Sequence, residues 1–421
     1  MRGAPHVVIV GGGFAGLYAA RALKGAPLRV TLLDRRNHHL FQPLLYQVAT
    51  AGLAAPDVAA PIRRVLRRQA NATVLLAEVT GIDPRARRVV LADGELGYDF
   101  LILAAGAETN YFGHEDWGAW APGLKSIEDA FEIRRRILTA FEAAEREADP
   151  ERRRRHLTFA IVGAGATGVE LAGALREIAQ RTLARDFRNF DPRETRVLLI
   201  DAGPRVLPEF PEALSARAHR MLEQRGVEVR TGRAVAHVDS EGVRLDGEQI
   251  EAGTVLWAAG VRPSRLARDL DAPLDKAGRV RVQPDLSVPG HPEIFVAGDL
   301  ACVEQEGRPV PGMAPAAIQE GRHAAQMIRR DLEGLARRPF RYRDRGMLAT
   351  VGRRAGVARL GGLEFAGLGA WVLWLVVHIA WLIGFRNRLV VLFEWAWAYF
   401  TYQRSARVIL DVPSGRPPAG A

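Results

Sequence analysis

The chain has 421 residues, 48% of them hydrophobic and 25% charged, and its formal net charge at pH 7 is +10. This length predicts two or three domains, and the composition excludes a largely disordered chain. The positive charge suits nucleic acid, an anionic membrane or an acidic substrate, and alone it does not choose between them. Because the basic residues are spread along the chain without a nucleic-acid-binding motif, we expect no nucleic-acid partner.

The single cysteine, Cys302, limits the redox and metal chemistry of the chain. One thiol gives no disulfide framework, no CxxC redox pair and no thiolate metal site, so we expect no bound metal. A strand is predicted directly over residues 6–10, which leaves no room for a signal peptide before it.

The first motif is a glycine-rich loop between a predicted strand and a predicted helix. The strand over residues 6–10 leads into the sequence GGGFAG, and an alanine-rich helical pattern follows. In this context GxGxxG is a dinucleotide fingerprint. Gly11 allows the tight turn, Gly13 lets a pyrophosphate approach the backbone and Gly16 lets the helix pack closely. Asp34 ends the next strand, where an acid accepts hydrogen bonds from an adenosine ribose.

The same pattern recurs in the middle of the chain. A buried strand leads into GAGATG, with Gly163, Gly165 and Gly168 in the fingerprint positions, and Asp201 ends the following strand. The acid lies further downstream than in the first motif, which predicts an insertion over residues 179–194. An acid at this strand end repels a 2′-phosphate, so the second site favours NAD(H) over NADP(H).

A third motif distinguishes the two sites. The apolar strand that ends in Gly298-Asp299 resembles the second FAD motif of the flavoproteins with two dinucleotide-binding domains. Two further strands that end in small residues, FLILAAG up to Gly106 and VLWAAG up to Gly260, fit the same order. FAD is therefore expected at the first fingerprint and NAD(H) at the second.

These motifs predict an α/β fold with two Rossmann-like domains, the FAD domain being split in sequence by an inserted NAD domain. We predict an FAD-binding domain over residues 1–115 and 288–345, a crossover helix region over 116–156, an NAD(H)-binding domain over 157–287, a C-terminal helical membrane-associating region over 346–412 and a flexible tail over 413–421.

The C-terminal region suggests where the electrons go. With one cysteine the electron acceptor is expected to be external. Residues 366–385 carry no formal charge, and a second aromatic run spans residues 389–402. Arginines flank the first run on both sides, so the positive-inside rule selects no transmembrane orientation. Glu394 lies within the second run, where a charge at the bilayer centre would be costly. We therefore predict two helices that lie in one leaflet, with a true span and a buried dimer interface as the alternatives, and a lipid-dissolved quinone as the acceptor.

Several longer segments carry a family resemblance over about residues 5–411. The chain resembles the type II NADH:quinone oxidoreductases in NHHLFQPLLYQVATAGL (37–53), APGLK (121–125), TGVELAG (167–173), MLATVGR (347–353) and the C-terminal Trp374, His378 and Arg386 pattern. The resemblance implies a non-electrogenic, single-subunit enzyme that passes two electrons from NADH through FAD to membrane quinone without pumping protons. It also implies a homodimer attached peripherally, through its C-terminal region, to the cytoplasmic face of the inner membrane, on an anionic lipid surface.

The resemblance also assigns site residues. FAD would be held by Gly11, Gly13, Phe14, Ala15, Gly16, Asp34, Arg35, Phe41, Gln42, Pro43, Val79, Ala105, Gly106, Asp299 and Ala316. NAD(H) would be held by Gly163, Gly165, Thr167, Gly168, Glu170, Asp201, Ala259 and Gly260. The quinone would be contacted by Tyr46, Ile318 and Gln319.

Two of these residues are candidate catalytic groups. Glu170 is implied to position the nicotinamide and to assist proton delivery to the quinone; the alternative is an acid in a first helical turn that favours the helix dipole. Gln319 lies in a segment resembling the family's quinone-site motif AQxAxQxG, in which Pro315 replaces the first glutamine. Its alternative is a glutamine on a helix surface.

Two other functions remain open on the sequence. An NADH–flavin reductase for a soluble acceptor such as a ferredoxin leaves the C-terminal aromatic runs unexplained. A non-catalytic, NADH-responsive membrane scaffold would bind the flavin for structure alone.

Overall fold

Each fingerprint loop lies at the carboxyl end of a buried parallel strand, and the two strands belong to different sheets. The computed structural model describes residues 3–401 and 406–409. They form two compact units, which differ from the predicted domains in their boundaries. The first unit comprises residues up to Leu40, Ala59–Glu108 and Val261–Arg345; the second comprises Phe41–Val58, Thr109–Gly260 and residues from Gly346 onwards. The assignment of nucleotides to domains stays a prediction, and the predicted tail lies outside the described residues.

The α-helices of the described residues are numbered in chain order, and 3₁₀ helices also run over Gln42–Leu44, Glu115–Ala119 and Arg265–Leu270. The α-helices follow. They are α1 (Phe14–Ala22), α2 (Leu45–Ala49), α3 (Ala55–Val58), α4 (Ile62–Leu66), α5 (Ile127–Arg146), α6 (Pro150–His156), α7 (Ala166–Glu177), α8 (Glu212–Glu223), α9 (Ala314–Leu332), α10 (Leu368–Trp381) and α11 (Phe385–Thr401).

The first unit is built around a sheet of six strands. Across the sheet their order is Ser287–Val288, His291–Val296, Phe100–Leu103, His6–Val10, Arg29–Asp34 and Ala72–Leu76. Neighbouring strands are parallel except for the first pair, which is antiparallel. The central strands are buried and rich in valine, isoleucine and leucine, as expected for parallel strands covered on both faces. Because strand His291–Val296 pairs with a strand nearly two hundred residues earlier in the chain, this unit is discontinuous in sequence.

The second unit contains a sheet of four parallel strands. Their order is Val227–Thr231, Arg196–Asp201, Thr158–Val162 and Thr254–Trp257. In both sheets the chain continues on one side of the strand before the fingerprint loop and later returns on its other side, so the loop lies where the strand order reverses. Ligands of open α/β sheets bind at such points. The predicted α/β class with two Rossmann-like sheets is confirmed.

Smaller sheets complete the two units. Three-stranded antiparallel sheets comprise Val79–Asp83, Arg88–Leu91 and Gly94–Gly97; Val235–Asp239, Gly242–Leu245 and Glu248–Glu251; and Met347–Gly352, Ala355–Leu360 and Leu363–Gly367. Strand pairs comprise His38–Leu40 with Ala59–Pro61, Val280–Arg281 with Ala301–Cys302, and Glu304–Gln305 with Arg308–Pro309, and short strands run over Ala107–Thr109 and Val261–Pro263.

The predicted insertion after α7 is irregular rather than helical throughout. A π-helical turn over Ile178–Thr182 continues α7, and a 3₁₀ turn over Pro192–Glu194 precedes the next strand. Between them, Phe187 and Phe190 stack against Phe141 of α5, with ring centroids 6.0 and 6.4 Å apart. This aromatic cluster anchors the insertion to the second unit.

The uncharged run over residues 366–385 contains one helix that is shorter than the run. Gly367 and Gly384 have φ angles of +84° and +97°, in the left-handed region, and α10 lies between them with 14 residues. The second run forms α11, with 17 residues. Among the helices that the structure describes, none is both long and apolar enough to cross a membrane.

Candidate functional site

The first fingerprint loop is held by backbone contacts that only glycine permits. Gly11 has a φ of +102°, and a methyl group at Gly16 would overlap the carbonyl oxygen of Gly11. Around a Cβ built at Gly13, by contrast, no described atom lies within 4 Å. The loop is therefore closed on its helix side and open at the position where a pyrophosphate would approach.

The second loop repeats this geometry. Gly163 has a φ of +105°, and a Cβ there would lie 2.5 Å from the carbonyl carbon of Ala258. A methyl group at Gly168 would overlap the carbonyl oxygen of Gly163, whereas no described atom lies within 4 Å of a Cβ at Gly165. Both loops thus have the tight turn, the close helix and the open central glycine of a dinucleotide site.

The helices that follow the loops begin without a side-chain cap. Their N-cap residues are Gly13 and Gly165, which have no side chain to cap the first turn, and neither first turn contains an acid. Helix α5, in contrast, begins with a capping box in which Ser126 and Asp129 bond each other's backbone N–H. The positive N-terminal ends of α1 and α7, which carry no acid, suit a phosphate group.

The two predicted ribose acids also hold the loops. Asp34 accepts hydrogen bonds from the N–H of Gly12 on Oδ2 at 2.6 Å and from the N–H of Arg36 on Oδ1 at 2.7 Å. Asp201 accepts from the N–H of Ala164 at 2.5 Å and from that of Gly203 at 2.6 Å. Each carboxylate is thereby fixed beside its fingerprint loop, with lone pairs remaining for a sugar hydroxyl.

The remaining predicted FAD residues divide between the two units. Ala105 and Gly106 follow strand Phe100–Leu103, and a Cβ on Gly298, the residue before Asp299, would lie 3.5 Å from that of Ala15. The first unit contains Phe14, Ala15, Asp34, Arg35, Val79, Ala105, Gly106, Asp299 and Ala316, whereas Phe41, Gln42 and Pro43 belong to the second unit. Their roles in binding FAD stay predictions.

Two further predicted FAD residues have other contacts. Arg35 forms an exposed ion pair with Glu108 at 3.8 Å, and Val79 begins a strand of the small sheet over Val79–Gly97. An exposed ion pair of this length contributes little stability. Arg35 thus places an exposed positive charge next to Asp34 in the chain.

The predicted NAD(H) residues all lie in the second unit. Thr167 is exposed in the first turn of α7, and Ala259 and Gly260 follow strand Thr254–Trp257. Gly260 has a φ of +77°, and a Cβ there would lie 2.5 Å from Cζ of Phe112. Their roles in binding NAD(H) also stay predictions.

Phe112 is a candidate site residue that the sequence analysis missed. Its φ is +54°, a conformation that bulky side chains seldom adopt, and its side chain is 62% exposed. The N–H of Phe112 donates to Oδ1 of Asn110 at 2.9 Å, which stabilises the turn. Backbone strain of this kind clusters at ligand sites. The Asn-Tyr-Phe-Gly sequence was the available signal, because asparagine favours such turns.

Glu170 is buried in the second turn of α7, with a relative exposure of 8%. Its Oε1 accepts hydrogen bonds from the N–H of Thr350 at 3.3 Å and from Nε1 of Trp374 at 3.2 Å. Burial raises the pKa of this carboxyl to about 8, although both hydrogen bonds oppose the rise. The alternative of a first-turn acid is therefore wrong, because the carboxyl lies beyond that turn and faces the interior.

A cavity of about 470 Å³ lies next to Glu170 in the second unit. Aromatic side chains of α2, α10 and α11 line much of it, among them Tyr46, Trp374 and Trp395. Nε1 of Trp395 donates to Oε1 of Gln47 at 2.7 Å, which ties α11 to α2. Tyr46, a predicted quinone contact, thus lines an apolar cavity that a buried carboxyl also borders.

His378 is held neutral close to this cavity. Its ring stacks on Trp374 with centroids 4.0 Å apart, and its Nδ1 lies 2.7 Å from the carbonyl oxygen of Trp374. Burial lowers the pKa of His378 to about 4. The ring therefore stays uncharged at neutral pH. Of the two groups, Glu170 has the pKa closer to 7.

The other predicted quinone residues, Ile318 and Gln319, lie on α9 in the first unit. The Gln319 amide donates to the carbonyl oxygens of Pro315 at 3.1 Å and Arg343 at 3.0 Å, and its oxygen accepts from the N–H of Arg343 at 2.9 Å. Gln319 therefore links the start of α9 to a later loop. A quinone contact by Gln319 or by the buried Ile318 stays a prediction.

Comparison with known proteins agrees with this geometry. The family model for pyridine nucleotide-disulphide oxidoreductases matches residues 5–321. A type II NADH:quinone oxidoreductase of Mycobacterium tuberculosis is 47% identical, with 96% of this chain and 90% of the relative covered. One of Staphylococcus haemolyticus is 32% identical, with 86% and 91% covered.

The structural comparison supports the fold. NDH2 from Plasmodium falciparum, solved in complex with NADH, superposes with a TM-score of 0.88 at 20% identity, and covers 97% of this chain and 100% of that one. The sulfide:quinone oxidoreductase of Aquifex aeolicus has a TM-score of 0.74 at 18% identity, covering 94% and 95%. Together with the sequence relatives, these findings show that the chain belongs to the pyridine nucleotide-disulphide oxidoreductase family and, within it, to the type II NADH:quinone oxidoreductases.

Proposed function

We propose that the chain is an NADH:quinone oxidoreductase that contains FAD and pumps no protons. When bound, FAD supplies the redox chemistry by taking a hydride from NADH and delivering two electrons to a quinone. The two open fingerprint loops and uncapped helix ends fit two dinucleotides, and the relatives above carry this activity in their names. Because Cys302 is the only cysteine, the chain has no internal disulfide as an acceptor.

The nucleotide preference rests on Asp201. Its carboxylate accepts hydrogen bonds from the N–H groups of Ala164 and Gly203 at the end of strand Arg196–Asp201, in the four-stranded sheet of the second unit. A 2′-phosphate there would meet a fixed negative charge, so the site favours NADH over NADPH.

The cavity beside Glu170 is the single observation that carries the choice of acceptor. An apolar, aromatic-lined space of about 470 Å³ suits a hydrophobic ring compound. With a pKa of about 8, the Glu170 carboxyl keeps its proton at neutral pH. Both described hydrogen bonds go to Oε1, so we assign this proton to Oε2, from which it would pass to a quinone oxygen.

Membrane association would use the outer face of α10 and α11. These helices expose a series of large apolar side chains to solvent: Leu368, Val372, Val376, Phe385, Leu389, Leu392, Phe393, Trp397 and Phe400. Contiguous apolar surface of this kind marks an interaction site, and Arg386 and Arg388 supply positive charge beside it for anionic lipid. The homodimer and the cytoplasmic face stay predictions from the family resemblance.

A steady-state assay tests this function. We expect NADH oxidation that requires an added water-soluble quinone, and NADPH oxidation that is slower by roughly tenfold or more. Ferredoxin in place of the quinone tests the soluble-acceptor alternative. Turnover with ferredoxin but not with quinone would overturn the proposal. If the FAD-loaded protein did not oxidise NADH with either acceptor, the non-catalytic membrane scaffold would be the favoured function.

A further inference from the structure

A second, polar cleft of about 410 Å³ lies in the second unit. Its walls come from α7 with the π-helical turn after it, from the residues that follow α8, and from the turn at Arg353 and Arg354. Five arginines line it: Arg176, Arg181, Arg225, Arg353 and Arg354. Among its described lining residues Glu177 is the one carboxylate. The lining thus carries a clear excess of positive charge.

The deepest of these arginines have neutral hydrogen-bond partners. Arg176 is 8% exposed, and among the described residues it donates to the carbonyl oxygens of Thr195 and, at 3.0 Å, of Arg225. Arg225 donates to the carbonyl oxygens of Met221 at 2.9 Å and Arg353 at 3.1 Å. Burial lowers the pKa of both guanidinium groups. Carbonyl groups orient these charges without neutralising them, and the Glu177 carboxylate offsets part of the charge of Arg225. A buried charge is costly unless it is paired.

The cleft adjoins the helices that would contact the membrane. Nε of Arg354 donates to the hydroxyl of Tyr399 on α11 at 2.9 Å, and the Arg353 guanidinium lies 4.0 Å from the centre of the Tyr399 ring. Arg353 and Glu177 also line the apolar cavity described above. The polar, basic cleft therefore shares part of its wall with the apolar cavity.

We propose that this cleft binds the phosphate of an anionic phospholipid, whose acyl chain follows the apolar surface of α10 and α11. Guanidinium groups are suited to phosphate because they form paired, charge-assisted hydrogen bonds. The proposal rests on the membrane association proposed above, and it adds a defined lipid site. A bare phosphate group shares the headgroup chemistry, and the acyl chain distinguishes the two.

Calorimetric titration of the FAD-loaded, full-length protein tests the site with soluble short-chain ligands. We expect short-chain phosphatidylglycerol to bind at least roughly tenfold more tightly than short-chain phosphatidylcholine, because the two lipids share tails and phosphate but the arginines repel the choline cation of the second. Inorganic phosphate, the probe for the headgroup alone, should bind more weakly than phosphatidylglycerol. Equal affinity for the two lipids, or for inorganic phosphate and phosphatidylglycerol, would overturn the lipid site.

Variants then locate the binding. Arg181 is exposed at the cleft, so Arg181→Gln should weaken phosphatidylglycerol binding by roughly tenfold, and Arg181→Lys by less, because lysine keeps the charge. Arg244→Gln is the matched control, since Arg244 is an exposed arginine outside the cleft. Equal losses in the Arg181→Gln and Arg244→Gln proteins would indicate diffuse charge and refute the site. Loss of flavin bleaching by NADH, measured in parallel, would point instead to failure of the proposed function.

Discussion

At the scale of single residues, burial of Glu170 couples protonation to folding. Its pKa rises from an ordinary value of 4.5 to about 8 in the folded protein. The folded state therefore binds a proton that the unfolded state releases between these pH values, so stability falls as pH increases through this window. Below about pH 4.5 both states are protonated, and above about pH 8 the loss is complete.

Glu170→Gln removes this pH dependence. Glutamine has nearly the shape of the protonated carboxyl, and its oxygen still accepts from Thr350 and Trp374. We expect the variant to gain stability relative to the wild-type protein as pH rises from about 5 to 8, by on the order of a few kcal/mol. Urea unfolding at several pH values measures this gain. Parallel stability curves for the two proteins would show that Glu170 is ionised in the fold.

Trp374 controls the same carboxyl through its indole N–H. This hydrogen bond lowers the pKa of Glu170, because it stabilises the ionised form. Trp374→Phe keeps an aromatic ring and removes the donor, so the pKa of Glu170 should rise further.

The pH profile of quinone reduction measures this change. We expect the limb that reports Glu170 to move to higher pH in the Trp374→Phe protein. Trp371→Phe is the matched control, because Trp371 lies on the same helix and its described ring contact is with Tyr399. An unchanged profile in the Trp374→Phe protein, or the same shift in the control, would contradict a positioning role for Trp374.

At the scale of the helices and strands, the glycine loops act through close backbone contact. In the second unit, Gly168 lets α7 approach the Gly163 carbonyl oxygen. Gly168→Ala should move α7 away from its loop and raise the KM for NADH by roughly tenfold or more, since overpacking costs about 1–3 kcal/mol. FAD should remain bound, because the first fingerprint lies in the other unit.

A glycine on an exposed helix provides the control for Gly168. Around a Cβ at Gly369 of α10 no described atom lies within 4 Å, so Gly369→Ala should leave the KM for NADH unchanged. Steady-state kinetics and the ratio of flavin to protein measure both variants. A KM that is unchanged in the Gly168→Ala protein would show that this loop does not bind NADH.

The sequence predicted these loops because their geometry is local. Gly11 and Gly163 have positive φ angles immediately after a buried strand, and a pattern of a few residues specifies that turn. The contact between Glu170 and Trp374 joins residues 204 positions apart, so no local pattern specifies it. The same holds for Gln319, whose amide is bonded to a loop 24 residues away.

Two glycines with positive φ angles lie near the ends of the uncharged run that contains α10. A run without charge predicts a helix of the same length, but glycines in the left-handed conformation end the strand before α10 and precede α11 after it. Gly367 and Gly384 are both visible in the sequence. Gly367 is the N-cap of α10, and the helix ends at Trp381, three residues before Gly384.

At the scale of the whole molecule, the exposed apolar face of α10 and α11 is expected to bind lipid. Phe393 and Phe400 are both largely exposed on α11. Replacing both with glutamate should reduce binding to phospholipid vesicles by roughly tenfold or more, because each phenylalanine contributes about 1.5–3 kcal/mol when buried.

Vesicle co-sedimentation measures this loss. Leu76→Glu is the control, because Leu76 is a similarly exposed apolar residue in the first unit. If the Leu76 variant and the α11 double variant lost binding equally, α11 would have no special part in membrane association.

The measurement that tests the proposed function most directly is an anaerobic titration of the purified protein with NADH, followed by a water-soluble quinone. Absorbance of bound flavin reports both half-reactions in one sample. We predict that NADH bleaches the flavin and that the quinone restores its absorbance. Bleaching without recovery would exclude quinone as the acceptor. Folded protein without flavin absorbance would contradict the proposal that the chain is an FAD-dependent enzyme.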